Sequence, residues 1–298
     1  MTFSRPLPIE FAEAAAFSRA MARVADIPDS DLRHRRVMRV SHGWYVQSGE
    51  PMDLLRRCHA LTAVLPDDAV FSDITAAQIY GLPAPSLVDA LTAPVHVTLT
   101  PRRCVPQRKD VVVHRRAMTS DEIAVVGGLP VTVPARLYAD LAMTLPMESL
   151  AVIGDSLLRA GLVTTDTAAS HLGSLRRRRG LALARQTLEL LDGRAQSPPE
   201  TTIRLRLHIA GIPAEPQCAI TDRHGVLIGH ADLGYRAARV ALEYEGRQHS
   251  EGDQFDYDLD RYSRFAAAGW LVIRCGRRDL ANGSAVLIER VRAALASR

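Results

Sequence analysis

Hydrophobic and polar positions alternate most regularly between Arg239 and Glu245, where Val240, Leu242 and Tyr244 share one side of a strand. Ala241, Glu243 and Glu245 share the other side. In the run before it, Ala231, Leu233 and Tyr235 alternate with His230, Asp232 and Gly234, and a short turn at Arg236 lets the two runs pair. That pairing gathers Asp232, Glu243 and Glu245. Close carboxylates repel unless a cation neutralises them or a pKa rises. An oxygen-rich cluster of this kind suits Mg2+ or Mn2+.

Downstream and upstream of this pair the periods change. A helix is predicted from Ser197, with Pro198 at its first position and Glu200 completing a capping box, which by itself accounts for Glu200. A hairpin over 216–235, a helix over 255–268 closed by Gly269, an apolar strand over 270–275 and a helix over 285–296 complete a mixed sheet flanked by helices. The middle of the chain shows short β runs at 95–100 and 111–114 with Arg102, Arg103, Arg108 and Lys109 between them. Helices over 135–144, 150–160, 166–175 and 181–191 follow, the last preceded by the run Arg176 to Arg179 and ended at Gly193. Both basic stretches suit a phosphate contact or ordinary solvated charge.

At the N-terminus the pattern predicts an Ala-rich helix over 9–24 and a short helix from Asp29 with Leu32, Val37 and Met38 as its apolar side. A tight hairpin over 40–46, turning at Gly43, comes next. Helix, turn, basic helix and small β-wing suggest a winged helix-turn-helix with the basic helix in a major groove and the wing on phosphate. Arg33, Arg35, Arg36, Arg39 and His42 are then the candidate contacts to double-stranded DNA. A solvated basic face is the alternative reading of the same charges. The expected fold class is an α+β / α/β multidomain chain. Its parts are a winged helix over 1–49, an α/β middle domain over 50–193, and a restriction-endonuclease-like mixed sheet over 194–298.

Length and composition are consistent with this division. A chain of 298 residues fits two or three domains, and 47% hydrophobic with 23% charged residues is ordinary for a globular protein. The net charge of +4 is compatible with nucleic acid without requiring it. Four cysteines without metal-ligand spacing suggest reduced, structural thiols. No leader pattern and no apolar run long enough to span a bilayer is visible, so a cytoplasmic protein without a membrane partner is expected.

Two resemblances sharpen the functional expectation. Asp232, then Glu243, Glu245, Gly246 and His249, then Asp258 and Arg261, then Gly269, Trp270 and Arg274 resemble the PD-(D/E)XK nuclease superfamily, in particular its branch of small domains like the very-short-patch-repair endonuclease. Glu245 stands where that branch often carries Asp, and the superfamily's lysine has no counterpart, since the single lysine of the chain is Lys109. The resemblance implies Mg2+- or Mn2+-dependent phosphodiester cleavage with Asp232, Glu243 and Glu245 as metal ligands. It further implies Glu200 as an additional acid, His249 as proton-transfer group and Arg261 facing phosphate or orienting an acid. Separately, the stretches 71–82, 95–98, 111–115 and 128–142 resemble the body of AbiEi-type antitoxins and their actinobacterial relatives. In that family a winged helix precedes an α/β middle domain, and a nuclease-like domain is often fused behind. Two functions follow: a DNA endonuclease docked by its winged helix, or a non-enzymatic antitoxin-type regulator with a cognate toxin whose nuclease-like fold is a scaffold.

Overall fold

A computed structural model of the chain describes residues 11, 14–34, 36–48, 51–83, 92–102, 107–246 and 261–298. The fold is mixed α+β and divides into two compact units, residues 1–141 and 142–298.

The first unit opens with a three-stranded antiparallel sheet, β1 (Phe17–Ser18), β2 (Val37–Ser41) and β3 (Trp44–Gln47), in the order β1-β3-β2. The expected hairpin is present: Ser41 pairs with Trp44 around His42 and Gly43, and Gly43 takes φ +75, which a glycine adopts without a Cβ clash. The expected long N-terminal helix is not. Phe17 is fully buried and pairs with Tyr45, while the Ser18 hydroxyl accepts the Met21 amide at 3.1 Å and caps a short helix α1, Arg19–Val24. The expected basic helix from Asp29 is also replaced, by one 3-10 turn, Asp31–Arg33, followed directly by β2. Val37, Met38 and Arg39 pair with Gln47, Val46 and Tyr45, so ladder bonds take the backbone groups that a helix would have used. Of the helix, turn, helix and wing expected for 1–49, the described residues show the short helix α1, the 3-10 turn and the hairpin.

The rest of this unit is α2 (Leu54–Thr62) and a five-stranded sheet of β4 (Val70–Phe71), β5 (Val95–Leu99), β6 (Val111–Arg115), β7 (Ile123–Val126) and β8 (Leu129–Thr132). Its order is β6-β5-β4-β8-β7. α3 (Asp73–Ile79) and α4 (Pro134–Leu141) also belong to this unit. β5 and β6 run parallel, so residues 107–110 enter β6 from a crossover connection.

The second unit begins with helices α5 (Met147–Arg159), α6 (Thr165–Ser174), α7 (Leu181–Leu188) and α8 (Pro198–Ile209). The expected boundary near Gly193 falls inside this unit. Asp155 on α5, 1% exposed, accepts hydrogen bonds from the Asp192 amide, the Thr201 hydroxyl and Arg204 NH2 at 2.7, 2.8 and 2.9 Å. These bonds join the segment before Gly193 to the helix after it. β9 (Glu215–Thr221), β10 (Leu227–Tyr235), β11 (Val240–Glu245) and β12 (Leu271–Gly276) form a sheet in the order β12-β11-β10-β9. β9, β10 and β11 are antiparallel neighbours and β12 is parallel to β11. Residues 261–267 are helical, and α9 (Ala285–Ala296) closes the chain.

Each face of this sheet is covered. Val240, Leu242, Leu233 and Ile273 pack with Ile203 and Leu207 of α8 and Leu287 and Val291 of α9. Ala241, Ala231 and Cys218 pack with Phe265 and Trp270. The predicted alternation along β11 is therefore realised, whereas along β10 it breaks at Asp232: Ala231 joins one cluster and Leu233 the other. The cause lies across the sheet, where Gln217, between the partners of Ala231 and Leu233, takes the left-handed conformation at φ +50. A residue in that region leaves the extended backbone on which strict alternation of side chains depends.

Candidate functional site

Three constellations of polar side chains stand out, two in the first unit and one in the second. The first is a groove of about 580 Å³ between the β2–β3 hairpin and the residues entering β6, lined by Arg39, Ser41, His42, Gln107, Arg108 and Lys109. Arg39 and His42 are exposed and touch each other at 3.3 Å, and the Arg39 Nε donates to the Ser41 carbonyl. Arg108 NH1 donates to the Ser41 hydroxyl at 3.0 Å, which holds the crossover residues against the hairpin. Of the candidate DNA contacts, Arg39 and His42 are gathered here. Arg33 is exposed at the end of the 3-10 turn, Arg36 is exposed just before β2, and Arg35 lies outside the described residues. Guanidinium and ammonium groups lining a shallow groove attract phosphate oxygens.

The second constellation is Asp73, His96 and His114, with Arg116 beside them. Asp73 opens α3, is 2% exposed, and receives Arg116 NH1 and NH2 at 2.7 and 3.2 Å. Arg116 NH1 also reaches Asp140 at 3.1 Å, and Asp140 is bonded by Arg136, which reaches Glu122 in turn. His96 on β5 and His114 on β6 meet at 3.0 Å between Nδ1 and Nε2. Burial, first among several causes, holds both imidazoles below their ordinary pKa, so they are neutral at neutral pH. Arg116 NH2 lies 3.2 Å from His114 Nδ1, and a guanidinium can only donate. The network therefore assigns the His114 proton to Nε2, from which it is donated to His96 Nδ1. No motif in the sequence links these two histidines. They lie on neighbouring strands whose parallel register, Thr98 opposite His114, was not visible in either run alone.

The third constellation contains the acids of β10 and β11. Asp232 Oδ2 accepts the Tyr244 amide at 2.7 Å, and burial raises its carboxyl above the usual range against that bond and the Arg261 charge. Glu243, 4% exposed, accepts from Arg261 NH2 at 2.8 Å, and the same NH2 donates to the His230 carbonyl at 2.6 Å. Glu245 is exposed and paired with Arg274 and the Tyr262 hydroxyl. Glu200 is engaged in its cap: Ser197 Oγ and the Gln196 amide donate to its two oxygens at 2.7 and 2.8 Å. Burial raises the Glu200 carboxyl, and the negative charge of Asp232 adds to the rise, so the two acids feel each other. His249 and Asp258 lie outside the described residues.

Asp232, Glu243 and Glu200 are thus drawn to one region, but Glu243 and Glu245 face guanidinium groups and Glu200 serves a helix end. In this arrangement the acids do not present the converged oxygens that Mg2+ or Mn2+ takes at about 2.0–2.6 Å. Among the described residues, the three side chains whose ligand atoms lie within 4.8 Å of one another are Asp73, His96 and His114. Nor is any helix among the described residues long and apolar enough to cross a membrane.

Comparison with known proteins agrees with part of this picture. Residues 68–192 match the AbiEi antitoxin C-terminal domain, which includes the Asp73, His96 and His114 cluster and continues into the second unit. The chain is 27% identical over 246 residues to two uncharacterised proteins of Mycobacterium tuberculosis, MT2308 of strain CDC 1551 / Oshkosh and Rv2248 of strain ATCC 25618 / H37Rv. The alignment covers 82% of this chain and 87% of each relative. Among solved structures, that of the RV2827C protein from Mycobacterium tuberculosis aligns with a TM-score of 0.41 at 15% identity, over 70% of this chain and 79% of that one.

Proposed function

We propose that the chain is a DNA-binding regulator of the antitoxin type that binds duplex DNA without cutting it. The observation that carries this reading is the basic groove, in which Arg39, His42, Arg108 and Lys109 line one concave surface. It takes the sugar–phosphate backbone through charge and hydrogen bonding, the contacts that position a protein on DNA without specifying sequence. The match of 68–192 to the AbiEi antitoxin C-terminal domain supports the antitoxin role and a cognate toxin as partner. In place of a recognition helix, the hairpin tip and the crossover before β6 supply the cationic surface.

A second reading, Mg2+- or Mn2+-dependent phosphodiester cleavage by 194–298, draws on Asp232 and Glu243 lying on adjacent antiparallel strands. It requires Arg261 and Arg274 to leave Glu243 and Glu245. One experiment separates the two. Duplex DNA from upstream of the protein's own coding sequence is incubated with the full chain and Mg2+ or Mn2+, resolved as a shifted complex, then recovered by deproteinisation. The regulator reading expects a shift and intact DNA; nicked DNA that stays whole with Asp232→Ala would replace it by the nuclease reading.

A further inference from the structure

We propose that Asp73, His96 and His114 form a binding site for one divalent transition-metal ion, with Zn2+ as the ion that one carboxylate and two imidazoles suit best. The spacing of the three groups carries the inference. Two ligands held at about 2.0–2.1 Å from one tetrahedral ion lie about 3.3 Å apart. In the structure His96 Nδ1 is 3.0 Å from His114 Nε2, and His114 Nε2 is 3.5 Å from Asp73 Oδ2. These two separations bracket that value, and one ligand atom from each of the three residues lies within 4.8 Å of the other two.

The surroundings are built in the way that metal ligands are usually held. The three residues come from two paired strands and the start of a helix, so none depends on a loop. His96 is pinned on both sides, because its amide donates to the Thr75 hydroxyl at 2.8 Å and its carbonyl accepts the Ser72 amide at 3.1 Å. Arg116 donates to both oxygens of Asp73, which fixes the carboxylate's direction as an outer-shell partner does. His114 keeps 17% of its side chain exposed and His96 is half-buried, leaving a way in for an ion and a water in the fourth position.

Without an ion, the proton on His114 Nε2 occupies the same space and bridges to His96 Nδ1. Metal binding exchanges these occupants with no net loss of protons. His96 Nδ1 already offers its lone pair, whereas His114 moves its proton from Nε2 to Nδ1 and gives up its contact with Arg116. Arg116 retains Asp73 and Asp140. The Cys58 and Cys275 thiols are poor competitors, since burial pushes both up to about 12 and only the thiolate ligates well.

The test uses the full chain stripped with EDTA and dialysed against Zn2+ alone, with bound metal counted by mass spectrometry of the digested protein and affinity measured by calorimetry. Wild type is expected to hold one equivalent and to melt at a higher temperature with Zn2+ than with EDTA, because an ion that binds the folded state stabilises it. His96→Gln and His114→Gln should each weaken binding by more than the roughly 10- to 100-fold that loss of an outer-shell partner costs, while keeping the wild-type circular dichroism. A wild type that holds no Zn2+ overturns the site. So does an equivalent retained by both variants, which would place the ion elsewhere.

Discussion

Asp155→Ala probes the contact set that makes 142–298 one unit. Asp155 and the Arg204 side chain are 1% and 10% exposed, and the carboxylate also accepts the Thr201 hydroxyl and the Asp192 amide. Truncation leaves a buried guanidinium that still donates to the Leu190 carbonyl, with an Nε that already has no partner. Removing one side of a buried pair costs about 3–5 kcal/mol. With a urea slope of about 2 kcal/mol/M, the midpoint should fall by roughly 1.5–2.5 M. Burial raises the Asp155 carboxyl pKa, outweighing Arg204, so the ionised pair as such is not what stabilises the unit. The acceptors are, and Asp155→Asn, which keeps one acceptor oxygen, should cost less than Asp155→Ala. The assay is urea unfolding of the full chain in a Trp44→Phe background, leaving Trp270 of the second unit to report. A midpoint shift for Asp155→Ala below about 0.5 M, or an equal cost for Asn, would refute the reasoning.

Two other expectations concern stability. Because burial raises the Asp232 carboxyl, its contribution is full below the unfolded value of about 3.9 and is lost as pH rises through the folded value. Wild-type stability relative to Asp232→Asn should therefore fall as pH is raised from about 3 to 7, and a difference that grows with pH would contradict the burial. Gly180 and Gly211 both sit at φ +77, but a Cβ at Gly180 would run into the Ala142 carbonyl and come within 2.8 Å of Met143 N, whereas nothing lies within 4 Å at Gly211. Gly211→Ala should cost about 1–2 kcal/mol, the strain of the left-handed conformation alone, and Gly180→Ala clearly more in thermal melts.

What could be read in advance follows from the range of the interactions. Periodicity found β11, the hairpin at Gly43 and the last helix, 285–296, because each is set by local alternation, a turn residue or an apolar stripe. It failed between Ala14 and Arg39, where Phe17 and Val37 are claimed by distant strand partners, Tyr45 and Gln47. The acids were legible as strand neighbours, but not their arginine partners: Arg261 and Arg274 reach them across a helix and a parallel strand. Gln217, whose left-handed backbone lies across the sheet from Asp232, carries no mark in the sequence. The basic groove was half visible, as Arg39 and His42 on a predicted wing and Arg108 and Lys109 in a loop, and only the fold joins them.

The central claim is that this groove holds DNA phosphates, and its most direct test is the salt dependence of binding to a labelled duplex by anisotropy. Each phosphate neutralised contributes about −0.9 to the slope of log affinity against log salt. Arg39→Ala with Lys109→Ala should weaken binding across unrelated sequences and make the slope shallower by about 2, one for each cation removed. Binding with an unchanged slope in the double variant, or wild-type binding that ignores salt, would contradict the account.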